Sequence, residues 1–136
     1  MTGPERYELC IEVRPEDIDE LGHVNNVVYV RWVQEAATAH WRARARAEDQ
    51  DALLWVVSRH EIDYARPAFL DTDVIGRTWV GTARRREFER HTELIRGSDG
   101  KRLARARTLW VPVDARTLRP TDVSDSVRDR FSVGDG

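Results

Sequence analysis

Polar and apolar residues alternate from Tyr7 to Val13, with Tyr7, Leu9, Ile11 and Val13 on one face, the period-two pattern of a half-buried strand. Arg14-Pro15 ends it, because proline has no donor to continue a ladder. An acidic stretch from Glu16 to His23 then leads to Asn25-Asn26. Either asparagine suits a helix N-cap, its side-chain oxygen accepting from a first-turn amide. From there the period changes: Tyr29, Trp32, Val33, Ala36, Ala37 and Trp41 recur at three and four, forming the apolar stripe of a helix. Residues 42–47 are good helix formers that extend it, and Glu48-Asp49-Gln50-Asp51 breaks the pattern.

Beyond that break, strand signals dominate as far as Val113. Residues 53–57 are apolar on both faces and run on through Ile62 and Tyr64 to Arg66-Pro67. Residues 73–82, 86–96 and 101–113 predict three more strands, the last two joined by a hairpin turn at Gly97-Ser98-Asp99-Gly100. Residues 115–136 are rich in Asp, Arg, Ser and Gly, weakly patterned and expected to be partly disordered. The order of one strand, one long helix and four strands predicts an α+β domain with its core at about 7–114. The helix is the only element able to cover the antiparallel sheet.

At 136 residues there is room for a single core, and 40% hydrophobic with 34% charged residues fits a globular chain rather than a disordered one. No run approaches the ~20 apolar residues of a membrane span, and Met1 to Arg6 lack the layout of a secretory signal. The one cysteine, Cys10, cannot form an internal disulfide, which points to a reducing compartment and a cytoplasmic protein. Its place in the first strand suggests a small core residue. A net charge of −2 argues against nucleic acid as a partner. His40, His60 and His91 have no metal-ligand spacing, so no metal is expected.

Chemistry concentrates between Asp17 and Trp32. Asp19 stands seven residues before Asn26, beside a bend that Gly22 permits and just ahead of a helix N-terminus. Free first-turn amides and the helix dipole can polarise a carbonyl oxygen. A carboxylate facing them can attack the carbonyl carbon or activate water to do so. Together they are what hydrolysis of an activated acyl group needs.

This stretch, with Asp17, Asp19, Gly22, His23, Val24, Asn25, Asn26 and Tyr29 in register, resembles the signature of hot-dog-fold acyl-CoA thioesterases of the branch similar to 4-hydroxybenzoyl-CoA thioesterase. Residues 61–68 and 100–114 resemble the same family's later strands. The resemblance implies a curved antiparallel sheet wrapped around one central helix. It implies Asp19 as catalytic carboxylate, acting directly or through water, and the Asn26 amide as carbonyl donor. His23 is a secondary catalytic candidate, because Leu21 replaces the asparagine that accompanies this histidine in plant acyl-ACP thioesterases. Gly22, Asn25 and Tyr29 shape the substrate site, and Arg66, Arg84 and Arg85 are candidates for the phosphates of coenzyme A. No cofactor is implied, coenzyme A being part of the substrate; an acyl-carrier-protein thioester, or binding without turnover, remains an alternative. Active sites of the family lie between protomers, implying a homodimer or a dimer of dimers.

Simpler roles compete at several positions. Asp17 is expected to hydrogen-bond its loop, Glu35 to pair along the helix, and the run Arg84-Arg85-Arg86 to be a solvated hairpin charge cluster as readily as a phosphate site. The five tryptophans are expected to pack the core or an interface.

Overall fold

In the computed structural model, residues 4–131 are described. Five strands, β1 (Tyr7–Ile11), β2 (Leu53–Tyr64), β3 (Val74–Ala83), β4 (Phe88–Arg96) and β5 (Arg102–Asp114), form one sheet in the order β1-β3-β4-β5-β2. Every neighbouring pair is antiparallel. Alternation decides which face each residue takes: on β4, Phe88, Arg90, Thr92 and Leu94 are buried while the residues between them are half-exposed. Across the inner face lies α1 (Asn26–Arg44), burying Val28, Tyr29, Trp32, Val33, Ala36, Ala37 and His40. Trp32, Val33 and Ala36 have 0% exposure, and each fully buried large apolar side chain contributes about 1.5–3 kcal/mol. Helix and sheet therefore stabilise one another, as an α+β domain requires.

Boundaries shift where local context intervenes. The long helix ends at Arg44, and the acidic residues expected to break it instead begin α2 (Ala47–Ala52). Arg46 pairs with Glu48 and Asp49 there, acids that favour a helix start. Gln50 donates back to the carbonyls of Arg42 and Ala45, meeting acceptors that the end of α1 leaves open.

One further expectation needs correction. Cys10 is exposed rather than in the core, because it alternates with the buried side of β1. The tail at 115–136 contains α3 (Asp125–Phe131), whose Val127 and Phe131 are buried; residues 132–136 lie outside the described residues. Phe131 stacks on Trp41 at 5.4 Å and meets His40 edge-on, so α3 closes one end of the molecule over the last turns of α1. Among the tryptophans, Trp32 is core, whereas Trp79 stacks on His91 with Arg6 above its ring.

Candidate active site

The site is built on the loop between β1 and α1. A 3-10 turn, Pro15–Asp17, turns the chain and buries Asp17 to 1% exposure. Its carboxylate accepts from Arg31 Nη2 at 3.0 and 3.1 Å and from the Arg14 amide at 2.9 Å. Its carbonyl accepts from the Asn25 amide at 2.9 Å. Asp17 thus ties the loop to α1, the loop-holding part expected of it, and Glu35 pairs with Arg31 four residues away.

Two residues on, Asp19 Oδ1 accepts from the amides of Leu21 at 2.9 Å and His23 at 3.3 Å. Oδ2 has no hydrogen-bond partner among the described residues, so one oxygen orients the carboxylate and the other is open. The Gly22 amide donates to the Asp19 carbonyl at 3.0 Å with Gly22 at φ +81°, a left-handed conformation that favours glycine. The bend expected at Gly22 is present, although Gly22 does not line the cleft.

Helix α1 then starts with Asn25 as its N-cap, Oδ1 accepting from the Val27 amide at 3.0 Å. The Asn25 carbonyl takes the Val28 amide at 2.9 Å. Of the first three helical amides, Asn26 alone has no partner among the described residues, which leaves it free to donate outward. Only the folded chain supplies the opposite wall. Tyr64, at the end of β2, donates to the Asn26 carbonyl at 3.2 Å and packs on the Tyr29 ring. The buried Tyr29 hydroxyl accepts from the Ala68 amide, and burial pushes its pKa up.

These elements enclose a cleft of about 460 Å³ lined by Asp19, His23, Asn25, Asn26, Tyr29, Tyr64 and Arg66, together with Leu21, Val24, Ala65 and Pro67. His23 meets Phe69 edge-on, and Arg66 is exposed with Nη1 on the Arg102 carbonyl at 2.7 Å. The other two arginines expected at a phosphate site are elsewhere. Arg84 lies with Glu87, Glu89 and Arg107 at the turn between β3 and β4, and Arg85 faces Asp122. The hairpin carries them away from the α1 N-terminus, and within this chain they take no part in the cleft. Tyr64 is the residue that sequence reasoning missed. Its tyrosine is plain in the chain, but its contact with Asn26 spans 38 positions.

No group of three or more His, Cys, Asp or Glu side chains able to hold a metal occurs among the described residues. No helix among them is long and apolar enough to cross a membrane.

The family model described as the thioesterase-like superfamily matches residues 13–131. Comparison with curated proteins returns no match. Among solved structures, a 1,4-dihydroxy-2-naphthoyl-CoA thioesterase from Synechocystis superposes with a TM-score of 0.79 at 15% identity, covering 93% of this chain and 95% of that one. A thioesterase from Thermus thermophilus, complexed with coenzyme A and zinc, gives 0.77 at 25% identity, covering 91% and 90%. A protein from Pseudomonas aeruginosa strain PAO1 gives 0.83 at 22% identity, covering 92% and 88%. The sheet and helix are those of the hot-dog fold.

Proposed function

The chain belongs to the thioesterase-like superfamily, and on that premise we propose that it hydrolyses acyl-CoA thioesters, with Asp19 as base or nucleophile and the Asn26 amide as carbonyl donor. The observation that carries this reading is the pairing of an anchored carboxylate, open at Oδ2, with the unpartnered Asn26 amide on one cleft. The thioester oxygen accepts from Asn26 as negative charge develops on it. Either Oδ2 bonds to the carbonyl carbon, or it takes a proton from a water whose oxygen does so. On the water route the C–S bond then breaks, the thiolate takes the proton that Asp19 removed, and a carboxylic acid remains. Where Asp19 attacks directly, the C–S bond breaks to release a thiolate and leave a mixed anhydride on Asp19. Water later cleaves the anhydride, its hydroxyl completing the carboxylic acid and its remaining proton going to the thiolate. His23 and Tyr29 border the acyl path, and Arg66 supplies the positive charge at the cleft for phosphate of coenzyme A.

A second copy of the chain completes the site in this proposal. Strand β2 is a 12-residue sheet edge exposing Leu54 at 47% and Val56 at 53%. A long sheet edge whose first half exposes apolar side chains favours pairing with another strand.

Free-thiol release from short, long and aromatic acyl-CoAs, native against Asp19→Asn, tests the proposal. The asparagine oxygen preserves the acceptor for Leu21 and His23 while removing the charge. Loss of a general base lowers kcat by about 10²–10⁴. Equal release by both proteins refutes the role of Asp19. No release from any CoA ester, with release from an acyl-carrier-protein ester, would move the substrate to the carrier protein; no release from either would leave a thioester-binding protein.

A further inference from the structure

A second cavity, of about 240 Å³, lies between the C-terminal half of α1 and the inner face of β2, β4 and β5. Trp41, Trp55, Phe88 and Trp110 form its apolar walls, and Arg90 reaches it from β4. It shares no lining residue with the Asp19 cleft. From Tyr29 to Ala37 the two are separated by about 12 Å of helix at 1.5 Å per residue.

Arg90 is 4% exposed and forms no ion pair among the described residues. Its Nη1 donates to His40 Nδ1 at 2.9 Å and Thr78 Oγ1 at 3.1 Å. Nδ1 is therefore an acceptor, and His40 Nε2 carries the proton donated to Glu5 at 2.9 Å. His40 is a neutral link, and the nearest carboxylate in this chain of contacts stands one ring away from Arg90. Nε and Nη2 of Arg90 have no partner among the described residues. These are the two parallel N–H directions that grip a carboxylate bidentately. The indole N–H groups of Trp55 and Trp110 are themselves buried and lack a partner among the described residues. Burial lowers the Arg90 pKa to about 9, leaving it a cation at neutral pH. Burying such a charge without an acid is unfavourable, and an anion bound at the free fork would offset the cost.

We propose that this cavity is a binding site for a small aromatic monocarboxylate, its carboxylate held by Arg90 Nε and Nη2 and its ring between Trp55, Phe88 and Trp110. The volume lies below the ~300–1,000 Å³ of ordinary ligand pockets, which limits the ligand to about one ring. Flat aromatic walls select a planar body. No residue of this site lines the Asp19 cleft, and the residues that hold the ligand take no part in hydrolysis; Leu54, which also lines the cavity, lies on the β2 edge proposed to pair with a second copy.

Benzoate is the probe, titrated into the full chain carrying 15N-labelled tryptophan, with benzyl alcohol as its uncharged counterpart. Saturable movement of the Trp41, Trp55 and Trp110 indole signals is expected, with Trp79 on the opposite face unmoved. Benzyl alcohol should bind at least tenfold more weakly, and Arg90→Met should weaken benzoate by at least tenfold. Because that variant also removes bonds to His40 and Thr78, the comparison of the two ligands on the native protein decides the matter if it does not fold. Equal binding of both ligands, uniform movement of all indoles, or no movement with benzoate each overturns the proposal.

Discussion

Replacing Arg31 with methionine would leave the Asp17 carboxylate, 1% exposed, with a single donor from the Arg14 amide. Two contacts from Arg31 Nη2, at 3.0 and 3.1 Å, disappear while the aliphatic stem is retained. Breaking a buried ion pair by removing one partner costs about 3–5 kcal/mol. Arg31 is 41% exposed, so water reaches the vacated position and the expected loss is about 2–3 kcal/mol. For a domain of this size that lowers Tm by about 10 °C. Asp17 also holds the Asn25 amide through its carbonyl, so the loosened loop carries Asp19 and the cap out of alignment and hydrolysis falls with stability. Thermal unfolding of Arg31→Met, Asp17→Asn and the double variant separates the causes. The Asp17→Asn side chain would keep an acceptor for Arg14 without a buried charge, so the double variant should recover about 1 kcal/mol or more over Arg31→Met. A single variant melting within about 2 °C of native protein, or a double variant no better than the single, would refute the clamp.

Burial, and then the charge of Arg90, pull the His40 pKa down from 6.5 to about 4, with Glu5 acting in opposition. The unfolded chain therefore binds a proton that the folded chain refuses, so stability is complete above pH 6.5 and falls by about 3 kcal/mol toward pH 4. Urea denaturation across that window should show the slope, and a flat profile would contradict it. Burial would raise the Glu5 carboxyl, but Arg44 and His40 hold it below its ordinary value of 4.5, so Glu5 adds loss in the same direction only at the acid end. Gly22→Ala should cost about 1 kcal/mol in urea denaturation, because φ is +81° although nothing lies within 4 Å of an added Cβ; an unchanged midpoint would contradict this. Arg66→Ala should raise KM for acyl-CoA several-fold, whereas Arg84→Ala with Arg85→Ala should leave it within about twofold. Each phosphate contact is a charge-assisted hydrogen bond, and the reverse pattern would assign the phosphates to the hairpin.

Much of this protein was legible in one dimension because the deciding interactions are local. Alternation placed the strands, the three-four period placed α1, and the short asparagine side chain marked its start, now seen in the bond from Val27 to Asn25. The candidate site was readable for the same reason: Asp19, Gly22, His23, Asn25 and Asn26 sit within eight positions, and their hydrogen bonds close on one another. Local preference also misled, since acids expected to break a helix begin α2 once Arg46 pairs with them.

What lay beyond the sequence depends on docking and register. Tyr64 meets Asn26 only because β2 runs beside the start of α1. Arg84 and Arg85 are indistinguishable from Arg66 as charges, but the turn between β3 and β4 carries them away from the cleft. Arg90 reads as one more surface arginine until strand register turns it inward against His40, 50 positions away. Side-chain chemistry and short-range geometry are written in the chain; which distant charge is buried and which meets solvent depends on how the sheet folds over the helix.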